Sequence, residues 1–197
     1  MARSSDLHGS APDSSSFALL IFDLISDFEF EDGARLLKNT LPLGRRIANL
    51  KRRAESAGVP TIYVNDNLGR WRSERSDLVA HCLGEKVTSS QTRRTARARA
   101  RRLLHFEAQT FGLLRHTLHS VLQGIGARRL ILTGITSHQC ILFSATDAYV
   151  REFDLIIPRD CIAAMQPSQT RVALEIFRTA LKADTRVSSK VSFRSRA

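Results

Sequence analysis

A cysteine and an aspartate in this sequence have the residue types that nucleophilic catalysis uses. Cys140 follows the segment 130–139, in which an apolar run leads into a glycine turn and then into a helical pattern. The first turn of a helix has unpaired N–H groups and a partial positive charge, which favour a thiolate and can stabilise an oxyanion. Cys140 is therefore a candidate nucleophile, although a free cysteine is often only a small buried apolar residue.

Asp23 ends an apolar run that begins at Ala18 and is typical of a central strand. Ligands of open α/β sheets bind outside the carboxyl ends of the strands. Because Cys140 also follows such a strand, we expect the two side chains to meet in one crevice. The aspartate there could accept the thiol proton or orient the groups around it.

At four places the sequence resembles the isochorismatase-like cysteine hydrolases. These are the strand that ends in Asp23, the turn 133–136, the helix that carries Cys140, and the segment 153–161. The resemblance covers roughly residues 17 to 185. It implies a mostly parallel sheet with helices on both faces, which is a three-layer α/β/α fold.

The usual catalytic set of this family is an aspartate, a lysine and a cysteine. The resemblance places the aspartate on Asp23 and the cysteine on Cys140, and it implies a cis peptide bond near Ile135 and Thr136, where the oxyanion hole forms. It also implies hydrolysis of an amide-type C–N bond in a small non-peptide molecule. The presence of Cys140 argues against cleavage of the isochorismate vinyl ether, because the isochorismatases proper generally lack that cysteine.

The family's lysine has no counterpart in this chain. It usually lies in a Lys-Pro-x-His-Ser-x-Phe stretch, and counting back from Gly134 without gaps places its position on Glu107. The residues around Glu107 do not match that stretch, and the charge is reversed. A second carboxylate near Asp23 would disfavour the thiolate, so we expect little or no activity. The alternative function is a catalytically impaired scaffold or binding protein of the same fold.

The segment 88–116, which contains Glu107, also carries much of the excess positive charge. Six arginines lie between positions 93 and 102, and the formal net charge of +11 would be +5 without them. The run could be a tether for nucleic acid or an anionic membrane, or a solvated loop with no role. No aromatic residues alternate with the arginines, so base stacking has no support and nucleic acid is not an expected partner.

A third interpretation is that segment 88–116 is translated out of frame. Codons chosen for His105–His116 and read one base later encode Thr-Leu-Lys-Pro-Lys-His-Ser, which restores the family stretch with its lysine at position 107. The coding DNA tests this hypothesis. Stop codons in the alternate frame, or the lack of a lysine codon there, would exclude it.

The residues after the second predicted strand bear on metal binding. Nicotinamidases of this fold use an Asp-x-His…His set at that place, but here it holds Asn65, Asp66 and Asn67 with no histidine. We therefore expect no metal and no other cofactor. Asn65, Asn67 and Trp71 could line the substrate pocket, or they could form an asparagine-rich turn with a packing tryptophan.

The remaining candidate side chains favour structural roles. His138 is interpreted as a polar residue of the first helical turn rather than as a base, and Asp147 as a structural residue. Cys82 and Cys161 are interpreted as unpaired packing residues. Three widely spaced cysteines fit a reducing cytoplasm better than a disulfide framework.

Length and composition predict one domain. The 197 residues are 43% hydrophobic, which is enough for a core, and no apolar run approaches the ~20 residues that span a bilayer. We expect a cytoplasmic protein that acts on a small molecule and has no membrane partner; members of this family are often homo-oligomers. The expected parts are a flexible tail at 1–16, the hydrolase domain at 17–187, and a basic tail at 188–197.

Apolar periodicity predicts the elements that would position these residues. Strands are expected at 18–23, 61–64, 129–133 and 154–158, and helices at 34–57, 113–122, 138–150 and 168–182. Pro42 and Gly44 are expected to break or kink the start of the first helix. Ser168 is the candidate cap of the last helix, and Val187 is expected to begin a short final strand.

Overall fold

A computed structural model describes residues 14–26, 28–65, 104–107 and 116–194. Among them, parallel strands form one sheet in the order β3-β2-β1-β4-β5, with β6 paired to β4. The strands are β1 (Phe17–Phe22), β2 (Thr61–Asn65), β3 (Leu104–Glu107), β4 (Arg129–Ile135), β5 (Asp154–Ile156) and β6 (Ile162–Ala163). The helices are α1 (Gly33–Ser56), α2 (His116–Gly124), α3 (Cys140–Val150) and α4 (Pro167–Thr179), followed by a 3-10 helix at Ser188–Lys190.

Strand β1 lies at the centre of the sheet and is buried along its whole length. It pairs with β2 on one side and with β4 on the other. A strand that is covered on both faces has no solvent-facing positions, which explains why its sequence is a continuous apolar run rather than an alternating one.

Helices cover both faces of the sheet, so the predicted three-layer α/β/α class is confirmed. On one face, α1 packs against alternate strand residues such as Leu19, Ile21 and Ile131. On the other face, α2, α3 and α4 pack against the intervening residues, among them Leu20 and Leu132. No helix within the described ranges is long and apolar enough to cross a membrane.

The expected break at Pro42 and Gly44 is wrong, because α1 continues through both residues. The proline removes one backbone hydrogen bond, but the helix keeps a buried apolar stripe on both sides of it. That stripe comprises Leu36, Leu43, Ile47, Leu50 and Ala54. Burial of a continuous stripe outweighs the local loss, since most helix stability in proteins comes from such packing.

Two strands were not predicted, and one predicted strand does not form. β3 lies within the anomalous segment 88–116, where arginines mask any apolar pattern, and the two residues of β6 are too few to show a period. Val187 precedes the 3-10 helix and begins no strand. The segment around it is held instead by Asp160, whose carboxylate accepts hydrogen bonds from the N–H (2.7 Å) and hydroxyl (2.8 Å) of Ser188.

The last helix begins and ends slightly earlier than predicted. Its cap is Gln166 rather than Ser168, because the side chains of Gln166 and Gln169 form a reciprocal capping box. Pro167 occupies the first helical turn, where its missing N–H costs nothing. The helix stops at Thr179, and the chain then turns back toward β5.

The ends of the domain are packed rather than tail-like over the residues described. Ser16 accepts backbone hydrogen bonds at 3.0 Å from Arg128 and Arg129. At the other end, Val191 is buried in the core beneath α1, and Phe193 packs edge-on against Phe17. Residues 188–193 thus pack against the domain, and the predicted tail boundaries stay a prediction.

Gly134 provides a stability test of the contact between β1 and β4. Its φ of +114° disfavours any side chain, and a Cβ there would overlap the carbonyl oxygen of Phe22. We expect Gly134→Ala to lower the unfolding free energy by about 3 kcal/mol or more, or to prevent folding. The control Gly124→Ala has open space and an ordinary helical backbone, so it should raise stability by up to about 1 kcal/mol. Equal effects of the two variants in urea unfolding would contradict this account.

Candidate active site

The order of the strands creates a crevice between β1 and β4. From β1 the chain crosses through α1 to β2, whereas from β4 it crosses through α3 to β5, on the opposite side of the sheet. The connections therefore leave the two neighbouring strands in opposite directions. Such a switch point opens a crevice at the carboxyl ends of the strands, where ligands of α/β proteins bind.

Asp23 and Cys140 both lie at this crevice. Asp23 is the first residue after β1, and its N–H donates to the carbonyl of Val64 on β2 at 2.9 Å. Its φ of +46° is unusual for a residue with a side chain. Cys140 is the first residue of α3 and directly follows the turn 136–139 that connects β4 to this helix. The structure thus brings together the two residues that the sequence singled out.

The thiol of Cys140 contacts the carboxylate of Asp23 directly. Burial raises the pKa of the Cys140 thiol to about 12, and the negative charge of Asp23 and a hydrogen bond to it act in the same direction. The backbone N–H groups of Thr136 and Cys140 oppose this, because they donate to the sulfur and lower its pKa. The resting state is a neutral thiol whose proton is directed at a carboxylate.

The turn before α3 is held by its own backbone. The carbonyl of Thr136 accepts from the N–H groups of Gln139 at 3.3 Å and Ile141 at 3.2 Å, and the Thr136 hydroxyl lies 3.1 Å from Oε1 of Gln139. The bond between Ile135 and Thr136 is cis, at the position that the resemblance indicates. These contacts fix the N–H groups that face the Cys140 sulfur.

Strand β6 supports the same turn from outside, and sequence reasoning missed it. The carbonyl of Ala163 accepts from the N–H of Ser137 at 2.8 Å, and the carbonyl of Cys161 accepts from Gly134 at the same distance. The Ser137 hydroxyl is 3.1 Å from that of Thr170 on α4. The apolar residues that follow Cys161 were the available signal for a strand.

Asn65 lies at the carboxyl end of β2, on the same edge of the sheet as Asp23. It is 2% exposed, and its Nδ2 donates to the carbonyl of Ile25 at 2.8 Å, which ties β2 to the loop after β1. Its Oδ1 is buried and has no hydrogen-bond partner among the described residues. Asn67 and Trp71, the other two predicted pocket residues, lie outside the described ranges.

Glu107 is the last residue of β3 and is the register partner of Asn65. The position that counting assigned to the family's lysine is therefore at the carboxyl end of a strand, on the same edge as Asp23. Of the rest of the segment 88–116, only Leu104, His105, Phe106 and the backbone of His116 lie within the described ranges.

The other candidate side chains do not join this pair. His138 lies in the turn before α3, and burial lowers its pKa, so at neutral pH it does not provide a cation beside Cys140. Asp147 forms an ion pair with Arg151 at 2.9 Å. Cys161 is fully buried, which raises its pKa to about 12. Cys82 falls outside the described residues.

Metal-binding groups can be assessed only in the part of the chain that the structure describes. Within it, no three His, Cys, Asp or Glu side chains cluster closely enough to hold a metal ion. The residues after Asn65, where nicotinamidases of this fold place their ligands, are outside those ranges. The expectation of a metal-independent site stays a prediction.

The fold and site define a parallel α/β protein with a cysteine–aspartate pair at its switch point. The family model "Isochorismatase domain" matches residues 17–186. An uncharacterized isochorismatase family protein of Bacillus subtilis, YaaI, is 34% identical over 167 residues, which are 85% of this chain and 91% of that protein. The chain belongs to the isochorismatase family.

Solved structures of several enzymes share the fold. The nicotinamidase of Staphylococcus aureus matches with a TM-score of 0.64 and 19% identity, over 87% of this chain and 99% of its own. N-carbamoylsarcosine amidase from Thermoplasma acidophilum matches with a TM-score of 0.66 and 17% identity, over 90% of this chain and 99% of its own. A cysteine hydrolase from Pseudomonas syringae pv. phaseolicola matches with a TM-score of 0.68 and 19% identity, over 89% of this chain and 90% of its own. At these identities the likeness establishes the fold.

The pH dependence of Cys140 alkylation tests the contact with Asp23. Because the thiol pKa is raised to about 12, the thiolate fraction should rise tenfold per pH unit with no plateau up to about pH 10. Asp23→Asn removes a group that raises this pKa, so its alkylation should be faster at every pH below the plateau. Iodoacetamide labelling of the Cys140 peptide, quantified by mass spectrometry, measures both. A plateau near pH 8 in the unmodified chain, or slower labelling of the variant, would contradict the contact.

Proposed function

We propose that this chain is a cysteine-dependent hydrolase that cleaves an amide-type C–N bond of a small non-peptide molecule. One observation carries the proposal. The Cys140 thiol donates to the Asp23 carboxylate, while the N–H groups of Thr136 and Cys140 face the same sulfur. A nucleophile, a proton acceptor and two N–H donors thus meet at the switch point of the sheet.

Each group has a defined step in the proposed reaction. Asp23 takes the thiol proton as the Cys140 sulfur attacks the carbonyl carbon, so that no free thiolate has to accumulate. The N–H groups of Thr136 and Cys140 stabilise the oxyanion that forms. Asp23 returns the proton to the nitrogen, and ammonia or an amine leaves a thioester on Cys140. Water, activated by the same carboxylate, hydrolyses the thioester and restores the thiol.

The relatives support an amide substrate. The names of two fold relatives, a nicotinamidase and an N-carbamoylsarcosine amidase, describe enzymes that cleave C–N bonds of small molecules. A third is named a cysteine hydrolase. The curated relative YaaI is uncharacterized, so the particular amide remains to be found by assay.

The missing cation limits this activity. Among the described residues, no Lys or Arg side chain acts on the Cys140 thiol, whose pKa stands at about 12. Glu107 is an acidic residue at the end of β3, at the position that an ungapped count from Gly134 predicts for the family's lysine. Loss of a cation and gain of an anion would cost several kcal/mol in the transition state, on the order of 10³-fold in rate.

The second candidate is a catalytically impaired scaffold or binding protein, and the reversed charge at Glu107 favours it. A frame-shifted segment 88–116 would account for the same residue as an error in an otherwise active enzyme. The environment of Asn65 favours a lysine over a glutamate at position 107. The buried Oδ1 of Asn65 has no partner in the described part of the chain and lies at the register position beside Glu107, where a lysine would bring a hydrogen-bond donor to the same edge.

Restoring a cation at position 107 should restore activity. We expect Glu107→Lys to raise kcat/KM by about 10²–10³-fold, because a cation there stabilises the developing thiolate and oxyanion. The matched variant Glu107→Gln removes the negative charge without adding a positive one and should give a smaller gain. Ammonia release from nicotinamide and N-carbamoylsarcosine is the assay. If the kcat/KM of Glu107→Lys does not exceed that of Glu107→Gln, position 107 is not the position of the family's lysine.

The nucleophile and base should be tested in both the unmodified chain and the Glu107→Lys background. Cys140→Ala should abolish ammonia release, and Asp23→Asn should lower kcat by about 10²–10⁴-fold even though it makes the thiol easier to alkylate. His138→Asn is the control, since its side chain lies two residues from Cys140 without joining the pair. Turnover that survives Cys140→Ala, or that His138→Asn removes as completely as Asp23→Asn, would refute the assignment.

A further inference from the structure

The outward face of α1 carries a row of cations that the proposed reaction does not use. The helix contains seven basic residues and one acidic residue. Lys51 pairs with Glu55 at 3.1 Å. The other six basic residues, which we call the α1 basic row, are all exposed: Arg35, Lys38, Arg45, Arg46, Arg52 and Arg53. Three of them lie opposite the buried stripe of the helix: Lys38, Arg45 and Arg52. The other three, Arg35, Arg46 and Arg53, lie along one flank of that stripe, so the six form one broad face.

The partners of this row leave its charge intact. Arg46 donates to the carbonyl of Asp160 at 3.4 Å, and Arg53 donates to the carbonyl of Ser188 at 2.9 Å and lies over the ring of Phe193. None of the six forms an ion pair with a carboxylate within the ranges that the structure describes. Carbonyl and ring contacts orient a guanidinium without neutralising it.

The α1 basic row extends along most of the helix. From Arg35 to Arg53 it extends about 27 Å at 1.5 Å per residue. The buried face of α1 packs against the sheet along this length, which holds the row on the surface of the domain. Beside the second half of the helix, the segment after Ser188 adds the exposed cations Lys190 and Arg194.

We propose that the α1 basic row binds the phosphate backbone of duplex nucleic acid. A duplex presents about one negative charge per 1.7 Å of its axis, so an extended face of cations can neutralise several phosphates at once. α1 contains no aromatic residue on which unpaired bases could stack, which favours a duplex over a single strand. The proposal uses none of the arginines at 93–102 and does not depend on the proposed hydrolase activity.

Two other partners fit this surface less well. An amphipathic helix binds a membrane by inserting its apolar face, but that face of α1 is occupied by the core of the domain. A second copy of the chain, docked through a two-fold axis, would place cations against cations. The charge complementarity is therefore best met by a polyanion that requires no insertion.

The test compares two double variants that change net charge equally. Arg45→Glu with Arg52→Glu reverses two members of the row that hold no other segment in place. Arg128→Glu with Arg171→Glu is the control, in which one exposed residue precedes β4 and the other is on α4, across the sheet from α1. Binding of a fluorescein-labelled DNA duplex of about 20 base pairs is measured by anisotropy between about 50 and 200 mM salt.

The unmodified chain should bind the duplex with an affinity that falls steeply with salt. The α1 variant should bind at least about tenfold more weakly at the lowest salt, and its log–log salt slope should be shallower by about 1.8. The control variant should keep both the affinity and the salt slope of the unmodified chain. Equal losses in the two variants would show a net-charge effect and overturn the proposal. Absence of duplex binding, or binding only to vesicles that contain phosphatidylserine, would overturn it as well.

Discussion

The pairing of β1 with β4 is the constraint on which the rest of the site depends. These strands are neighbours in space but are separated by more than one hundred residues, and their connections leave on opposite faces of the sheet. Their carboxyl ends therefore share one crevice. Gly134 lets the strands approach closely where Phe22 and Gly134 are in register, and the next residues along each strand end are Asp23 and the turn that leads to Cys140. The positions at which β1 and β4 end therefore bring Asp23 and Cys140 together.

The electrostatics of the pair explain both the reactivity and its limit. A buried thiol beside a carboxylate is harder to ionise than a free one, so the proposed mechanism does not start from an ionised Cys140. The proton instead has an acceptor in place, and the N–H groups of Thr136 and Cys140 are directed at the sulfur. A cation would shift this balance toward ionisation, and position 107 is where we propose that one is missing. The out-of-frame origin of segment 88–116 remains a hypothesis about the gene, which the coding DNA can decide.

Much of this architecture could be predicted from the residues alone. Apolar runs locate β1, β2 and β4, and an acid or a cysteine immediately beyond a run locates Asp23 and Cys140. The supports of the site were harder to predict, because β6 has only two residues and its role is visible only through the hydrogen bond from Ser137 to Ala163. β3 was hidden by the surrounding arginines. Asn65 was predicted either to line the pocket or to form a turn, but the lack of a partner for its Oδ1 among the described residues depends on how the loop after β1 folds back to Ile25. Local pattern predicts elements, whereas long-range contacts decide which side chains lack partners.

The central claim is that Cys140 attacks an amide carbonyl and carries the acyl group. The most direct measurement is rapid acid quench of the unmodified and Glu107→Lys chains during reaction with nicotinamide or N-carbamoylsarcosine, followed by peptide mass spectrometry and ammonia determination. The account predicts a thioester on the Cys140 peptide and one ammonia released for each acylated chain. Ammonia release without an acyl group on Cys140, an acyl group on another residue, or neither product in both chains would contradict it.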